Sequence, residues 1–242
     1  MPGPVTGSRQ ERSFVDLHCH TAASFDSLSR PQAVVAAAAA RGLTHLAITD
    51  HERIDGALAA RDAAPAELSV IIGQEVRTRG GDLIGLFLER PIPPGLPAGE
   101  AADLIHEQGG LVGLPHPFDR FRASGGRRSA DEDWLALLGR VDYVEGWNAR
   151  IMVGDGNLRA TELAHERGLP AVAASDAHTL MEVGVAYTIM QGPLGSAAQM
   201  SAALPTARMV TGRASRLIRA GMPLAKGVQW LRGNRRVRPV NA

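Results

Sequence analysis

Asp16-Leu17-His18-Cys19-His20, Ile48-Thr49-Asp50-His51 and Ala174-Ser175-Asp176-Ala177-His178 occur in that order along the chain, and each closes an apolar run. Residues 15–17, 46–48 and 171–174 read as short buried strands, so the imidazoles and carboxylates emerge at strand C-terminal edges. Alternate residues of a strand share a face. His18 and His20 can therefore reach one metal ion together, and Asp176 and His178 can do the same from the far end of the chain. A histidine pair alone is weak evidence. With His51, Asp176 and His178 at further strand ends, the pattern points to a metallohydrolase.

Further strings extend the pattern. Val70-Ile71-Ile72-Gly73-Gln74-Glu75 is an apolar strand ending at a carboxylate. Leu111-Val112-Gly113-Leu114-Pro115-His116-Pro117 presents His116 between two prolines, whose fixed φ stiffens the turn. Tyr143-Val144-Glu145-Gly146-Trp147-Asn148 ends on an acid and an amide, and Glu145 fits a metal ligand or a partner orienting a metal-bound histidine equally well. His45, His106 and His165 read as structural or exposed. Helices are expected over 33–41, capped by Ser29 and closed by Gly42, and over 100–108, 134–138 and 158–167. Their alternation with strands favours a mostly parallel sheet.

His18-Cys19-His20, Asp26, Thr49-Asp50-His51, Gly73-Gln74-Glu75, Pro115-His116-Pro117 and Ser175-Asp176-Ala177-His178 together resemble the PHP family, named for polymerase and histidinol phosphatase. The resemblance covers residues 14–187 in order and approximate spacing. It implies a distorted seven-stranded β/α barrel with two or three divalent metals (zinc, manganese or iron) at the strand C-termini, and hydrolysis of phosphate esters. It implies that His18, His20, Glu75 and Asp176 surround one metal and that Glu75 bridges to a second, also taken by His116. Asp26, His51 and His178 would hold a third. Family members commonly carry another histidine one strand after the bridging glutamate. Residues 80–87 contain none, which leaves that position to Asp82 or Glu145.

At 242 residues and 45% apolar content the chain can bury one large core. The expected division is an N-terminal extension over 1–12, a metallohydrolase domain over 13–222 and a basic tail over 223–242. Cys19 is the one cysteine, which excludes an internal disulfide and fits a reducing cytoplasm; its thiol is expected to face packing. No apolar stretch approaches the roughly 20 residues that span a bilayer, and residues 1–12 lack a signal peptide's apolar segment, so a soluble protein without a membrane partner is expected. No Asp or Glu follows Glu182, while nine basic positions from Arg208 to Arg238 do. A solubilising or packing segment is the preferred reading of that tail over a nucleic-acid contact. Oligomeric state is not legible.

The resemblance also carries a mechanism. Two ions bridged by Glu75 would acidify a shared water and place the hydroxide in line with phosphorus. Glu75, Asp176 and His178 are the expected catalytic residues, the last two managing protons. Arg120 and Arg150, just past the strands ending at His116 and Glu145, are candidates for binding the substrate's phosphate. A small phosphate monoester or nucleotide is the expected substrate. A nuclease acting on nucleic-acid ends and a decayed, metal-stabilised binding module are the alternatives, and the nearly intact ligand set argues against decay.

Overall fold

The computed structural model of the protein describes residues 12–119, 132–215, 218 and 221–236. Arg120, most of the basic loop 118–128, Arg216, Arg219 and Arg238 lie outside the described residues, as do residues 1–11 of the expected N-terminal extension. Strands and helices alternate as β1 (Arg12–Asp16), α1 (Pro31–Ala40), β2 (His45–Ile48), α2 (Asp55–Ala63), β3 (Ser69–Thr78), β4 (Gly81–Leu86), α3 (Ala98–His106), β5 (Leu111–Leu114), α4 (Glu132–Leu138), β6 (Tyr143–Asn148), α5 (Gly156–Arg167) and β7 (Ala171–Ala174). They are followed by β8 (Tyr187–Gln191), α6 (Ala197–Ala203), β9 (Arg208–Val210) and α7 (Met222–Leu231).

One sheet runs in the order β7-β6-β5-β4-β3-β2-β1-β8-β9. A parallel bridge between Cys19 and Ala177, just beyond β1 and β7, brings its two arms together into a nearly closed barrel. The expected α/β barrel is present, but its sheet holds nine strands among the described residues rather than seven. The difference has a local cause. Only two residues separate β3 from β4, too few for the crossover that a parallel pair needs, so β4 returns antiparallel. β8 and β9 then add an antiparallel pair beside β1.

Helix α1 also departs from expectation. It starts at Pro31, whose missing N–H suits a first helical position, with Arg30 before it and no side-chain cap. Ser29 donates instead to the carbonyl of His178 at 3.3 Å. The helix buries Val34, Val35 and Ala38 in a cluster with Leu46, Ile48, Ala57 and Cys19, so the thiol faces packing as the strand alternation requires. Val15, Leu17, Ala47, Ile71, Ile84, Tyr143 and Met190 form a second buried cluster. Each such large side chain contributes about 1.5–3 kcal/mol through burial, and together they hold the strand ends in place. No helix among the described residues is long and apolar enough to cross a membrane.

Candidate metal centre

Residues just past the ends of β1, β2, β5 and β7 bring His18, His20, His51, His116, Asp176 and His178 to one side of the barrel; Glu75 and Glu145 join them from inside β3 and β6, which run on to Thr78 and Asn148 rather than stopping at the acids as expected. The loop after β1 adds Asp26. All are buried except His51, whose side chain is 9% exposed. Parallel bridging of His51 to Glu75 sets those two side by side. His116 and Asp176 take left-handed backbone conformations, with φ of +29° and +51°. Such strain costs about 1–3 kcal/mol per residue and survives only where the surroundings enforce it.

Three groups of donor atoms result: His20, Asp26, His51 and His178; His18, His20 and Asp176; and His18, Glu75 and His116. Within each group the donor atoms lie within 4.8 Å of one another. Glu75 stands at the middle. Its Oε2 is 3.4 Å from Nε2 of both His18 and His20 and 3.2 Å from Nδ1 of His51, while Oε1 is 3.1 Å from Nε2 of His116. Asp26 Oδ2 lies 3.6 Å from His51 Nε2 and 3.4 Å from His178 Nε2. Relative to the expected arrangement, His20 also joins the Asp26 group and His18 also joins the Glu75 and His116 group.

Hydrogen bonds on the far side of each ring orient the donors. His18 Nδ1 lies 2.6 Å from Glu145 Oε1, and the other Glu145 oxygen accepts from the backbone of His116 and the amide of Asn148. Glu145 thus belongs to none of the three groups. His20 Nδ1 donates to Ser24, whose hydroxyl donates onward to Asp50 at 2.9 Å. The Nε2 atoms of His18 and His20 face each other at 2.9 Å; burial opposes charge on His18, but Glu145, Asp176 and Glu75 outweigh it and lift that ring well above its ordinary value, so a proton lies between the two nitrogens. Asp26 Oδ1 is buried with no hydrogen-bond partner. An unpaired buried carboxylate oxygen is costly, and a proton held between two imidazoles among carboxylates marks a place that a divalent cation can take over. The donors present therefore fit divalent ions.

The charge pattern agrees. Burial pushes His20 and His178 down to about 4, the latter helped by the adjacent Arg150, which keeps both rings neutral. Burial also opposes charge on His51, but Glu75 and Asp26 outweigh it and lift that ring to about 9. Burial would raise Glu75, yet His51 and His18 hold it well below the usual carboxylate range. Arg150 is buried, with Nη1 against His178 Nδ1 and 4.0 Å from Asp176 Oδ1. Asp82 lies outside the donor groups, 3.6 Å from Arg236 Nη2.

Several residues of the site were not singled out by sequence reasoning. Asp16 accepts from the backbone of Ser175 and Gly184, joining the ends of β1 and β7. Asp50 accepts from Thr21 N and Thr21 Oγ1 at 2.6 and 2.7 Å. Gly56 packs so closely on Asp50 Oδ2 and Thr21 Oγ1 that any Cβ would overlap them. Both aspartates lie inside the quoted strings, which was the available signal. Arg236 lay in the basic tail read as a solubilising or packing segment, and it meets Glu52 and Asp82; Gln229 and Asn234 had no signal.

Comparison with known proteins follows the same outline. The family profile of the PHP domain matches residues 16–116, and that of the PHP-associated region matches residues 154–208. An uncharacterised protein of Methanocaldococcus jannaschii is 35% identical over 174 residues, which is 72% of this chain and 68% of the relative. A two-domain protein from Bacteroides vulgatus containing a predicted PHP-like metal-dependent phosphoesterase superposes with a TM-score of 0.67 at 18% identity, over 84% of this chain and 66% of that one. The lesion-specific endonuclease Q of Pyrococcus furiosus gives 0.61 at 15% identity, over 82% of this chain and 58% of that one. At these identities the two structures speak to the fold alone.

Proposed function

The chain belongs to the PHP family, and on that premise we propose that it is a metal-dependent phosphoesterase hydrolysing a small phosphate monoester or nucleotide. The observation that carries the reading is the convergence of the Nε2 atoms of His18 and His20, 2.9 Å apart, with the carboxylates of Glu75 and Asp176. His18, His20, Glu75, His116 and Asp176 would hold ions on one side, and Asp26, His51 and His178 on the other. Zinc, manganese and iron all suit such mixed nitrogen and oxygen donors. When bound, divalent ions would supply Lewis acidity toward the phosphoryl oxygens and lower the pKa of water.

The chain's own residues do the rest. Glu75 stays ionised and central, balancing cationic charge on both sides of the centre. His178 is kept neutral near pH 7 by burial and by Arg150 against its Nδ1 edge, which leaves its Nε2 available as a ligand beside Asp26. Asp176 is kept oriented by the Asn148 amide at 3.0 Å. Arg150, at the base of the site, would also draw in an anionic substrate.

A metal count on purified protein, followed by assays on an aryl phosphate and on single-stranded DNA, tests the proposal. Metal-dependent turnover of the aryl phosphate supports it. Absence of turnover on either substrate with the ions loaded overturns it. Preferential DNA cleavage would favour the nuclease reading, for which the specific observation is the pair of cations Lys226 and Arg236, 5.6 and 5.4 Å over the Phe25 ring beside Asp26.

A further inference from the structure

Helix α7 has one buried residue, and it is Gln229. Leu224, Trp230 and Leu231 of the same helix are 71%, 56% and 78% exposed, and the apolar Met222, Ala225 and Val228 are only partly buried, so apolar packing alone does not seat it. The seat is polar. Gln229 Nε2 donates to the carbonyls of Ala22, Ser24 and Ser27 at 2.8, 3.0 and 2.5 Å. Asn234 Nδ2 donates to the carbonyls of Ala22, Ala23 and Ser24 at 3.3, 2.9 and 3.2 Å, and Asn234 N bonds back to Gln229 O at 2.9 Å.

These carbonyls belong to the stretch between β1 and α1, which has no regular ladder to satisfy them, and buried carbonyls need partners. The same stretch carries Asp26, facing His51 and His178, and Ser24, which orients His20. Two side-chain amides from the far end of the chain thus hold the backbone on both sides of Phe25 and Asp26. Arg236 extends the clasp across the site's edge to Glu52 and Asp82, 3.7 and 3.6 Å away.

We infer that Gln229 and Asn234 are positioning residues for Asp26, so that the C-terminal segment is a latch that completes the ion site formed by Asp26, His51 and His178. The inference rests on the proposed reading of that group as an ion site. Partners that orient metal ligands are worth about 10–100-fold in metal affinity, and these amides act one step further back through the loop backbone. The loss expected from removing both is about tenfold, confined to that one ion.

Full-chain variants Gln229→Ala, Gln229→Met, Asn234→Ala and the double alanine variant are compared with Asp26→Asn by titrating manganese alone and counting the free ion by its spin-resonance signal. Asp26→Asn is expected to lose one ion. The double variant should weaken that same ion about tenfold and leave the others unchanged, with greater hydrogen exchange at residues 21–29. Gln229→Met keeps the side chain's approximate size but loses its donors without adding charge, so it should behave like Gln229→Ala; a packing role would spare it. Should the double variant not fold, Asn234→Ala alone decides, since it leaves the helix intact. Wild-type manganese affinity in the latch variants, while Asp26→Asn loses its ion, overturns the inference and leaves the ion site standing. A full ion count in Asp26→Asn overturns both. An equal loss at every ion makes the segment a general stabiliser and also overturns the inference.

Discussion

The Glu145 carboxylate meets Nδ1 of His18 at 2.6 Å and, through its second oxygen, the backbone N–H of His116. Both oxygens are occupied away from the donor groups, which gives the residue an orienting geometry. Glu145→Gln should therefore keep the number of bound ions and lower the affinity of those touching His18 by about 10–100-fold. Chelator competition alongside metal analysis reads both quantities. Outright loss of one ion would make Glu145 a ligand.

His20 belongs to two of the three donor groups. His20→Ala should remove ions from both and abolish phosphoesterase turnover, while circular dichroism and a thermal melt report a folded chain. Full turnover in a metal-loaded His20→Ala protein would contradict the assignment of the centre.

Proton release follows from the ion-free charge states. His51 titrates at about 9 and is cationic at pH 7, whereas His178 and His20 titrate at about 4 and are already neutral. An ion entering the Asp26, His51 and His178 group must displace the His51 proton. Its apparent affinity should rise about tenfold per pH unit as pH increases toward 9, then level off. Calorimetry at pH 7 in buffers of different protonation enthalpy should register about one proton released for this ion. A value near zero would show that His51 is not displaced.

Salt dependence separates small esters from nucleic acid as substrate. Lys226 lies over Phe25 at 5.6 Å and Arg235 over Trp230 at 4.6 Å, and neither joins the latch hydrogen bonds. With a small ester as substrate, Lys226→Ala combined with Arg235→Ala should leave turnover within about threefold. If the strand phosphates of single-stranded DNA bind these cations, the same variant should flatten the log affinity against log salt slope by about 1.4. That result, together with lost DNA cleavage, would favour the nuclease reading.

The basic tail is where tertiary structure changes the sequence reading most. A boundary at residue 222 falls at the first residue of α7, and the segment beyond it reaches back to Ala22 and Ser24, more than 200 positions away. Composition described this stretch correctly as basic. It carried no sign that Gln229, an ordinary helix residue by type, is the one that docks.

The alternation of strands and helices and the pairing of His18 with His20 were legible because they are written locally, since an apolar run makes a strand and alternation puts those two rings on one face; the barrel itself came from the family resemblance. The antiparallel β4 was in principle readable from the two residues before it. The grouping of donors, the orienting geometry of Glu145, the left-handed turns at His116 and Asp176 and the latch at Gln229 and Asn234 depended on tertiary structure. Local pattern encodes which way a side chain leaves its own strand. Which distant carbonyl or imidazole it then meets is set by closure of the whole barrel, and no window of neighbouring residues contains that distance.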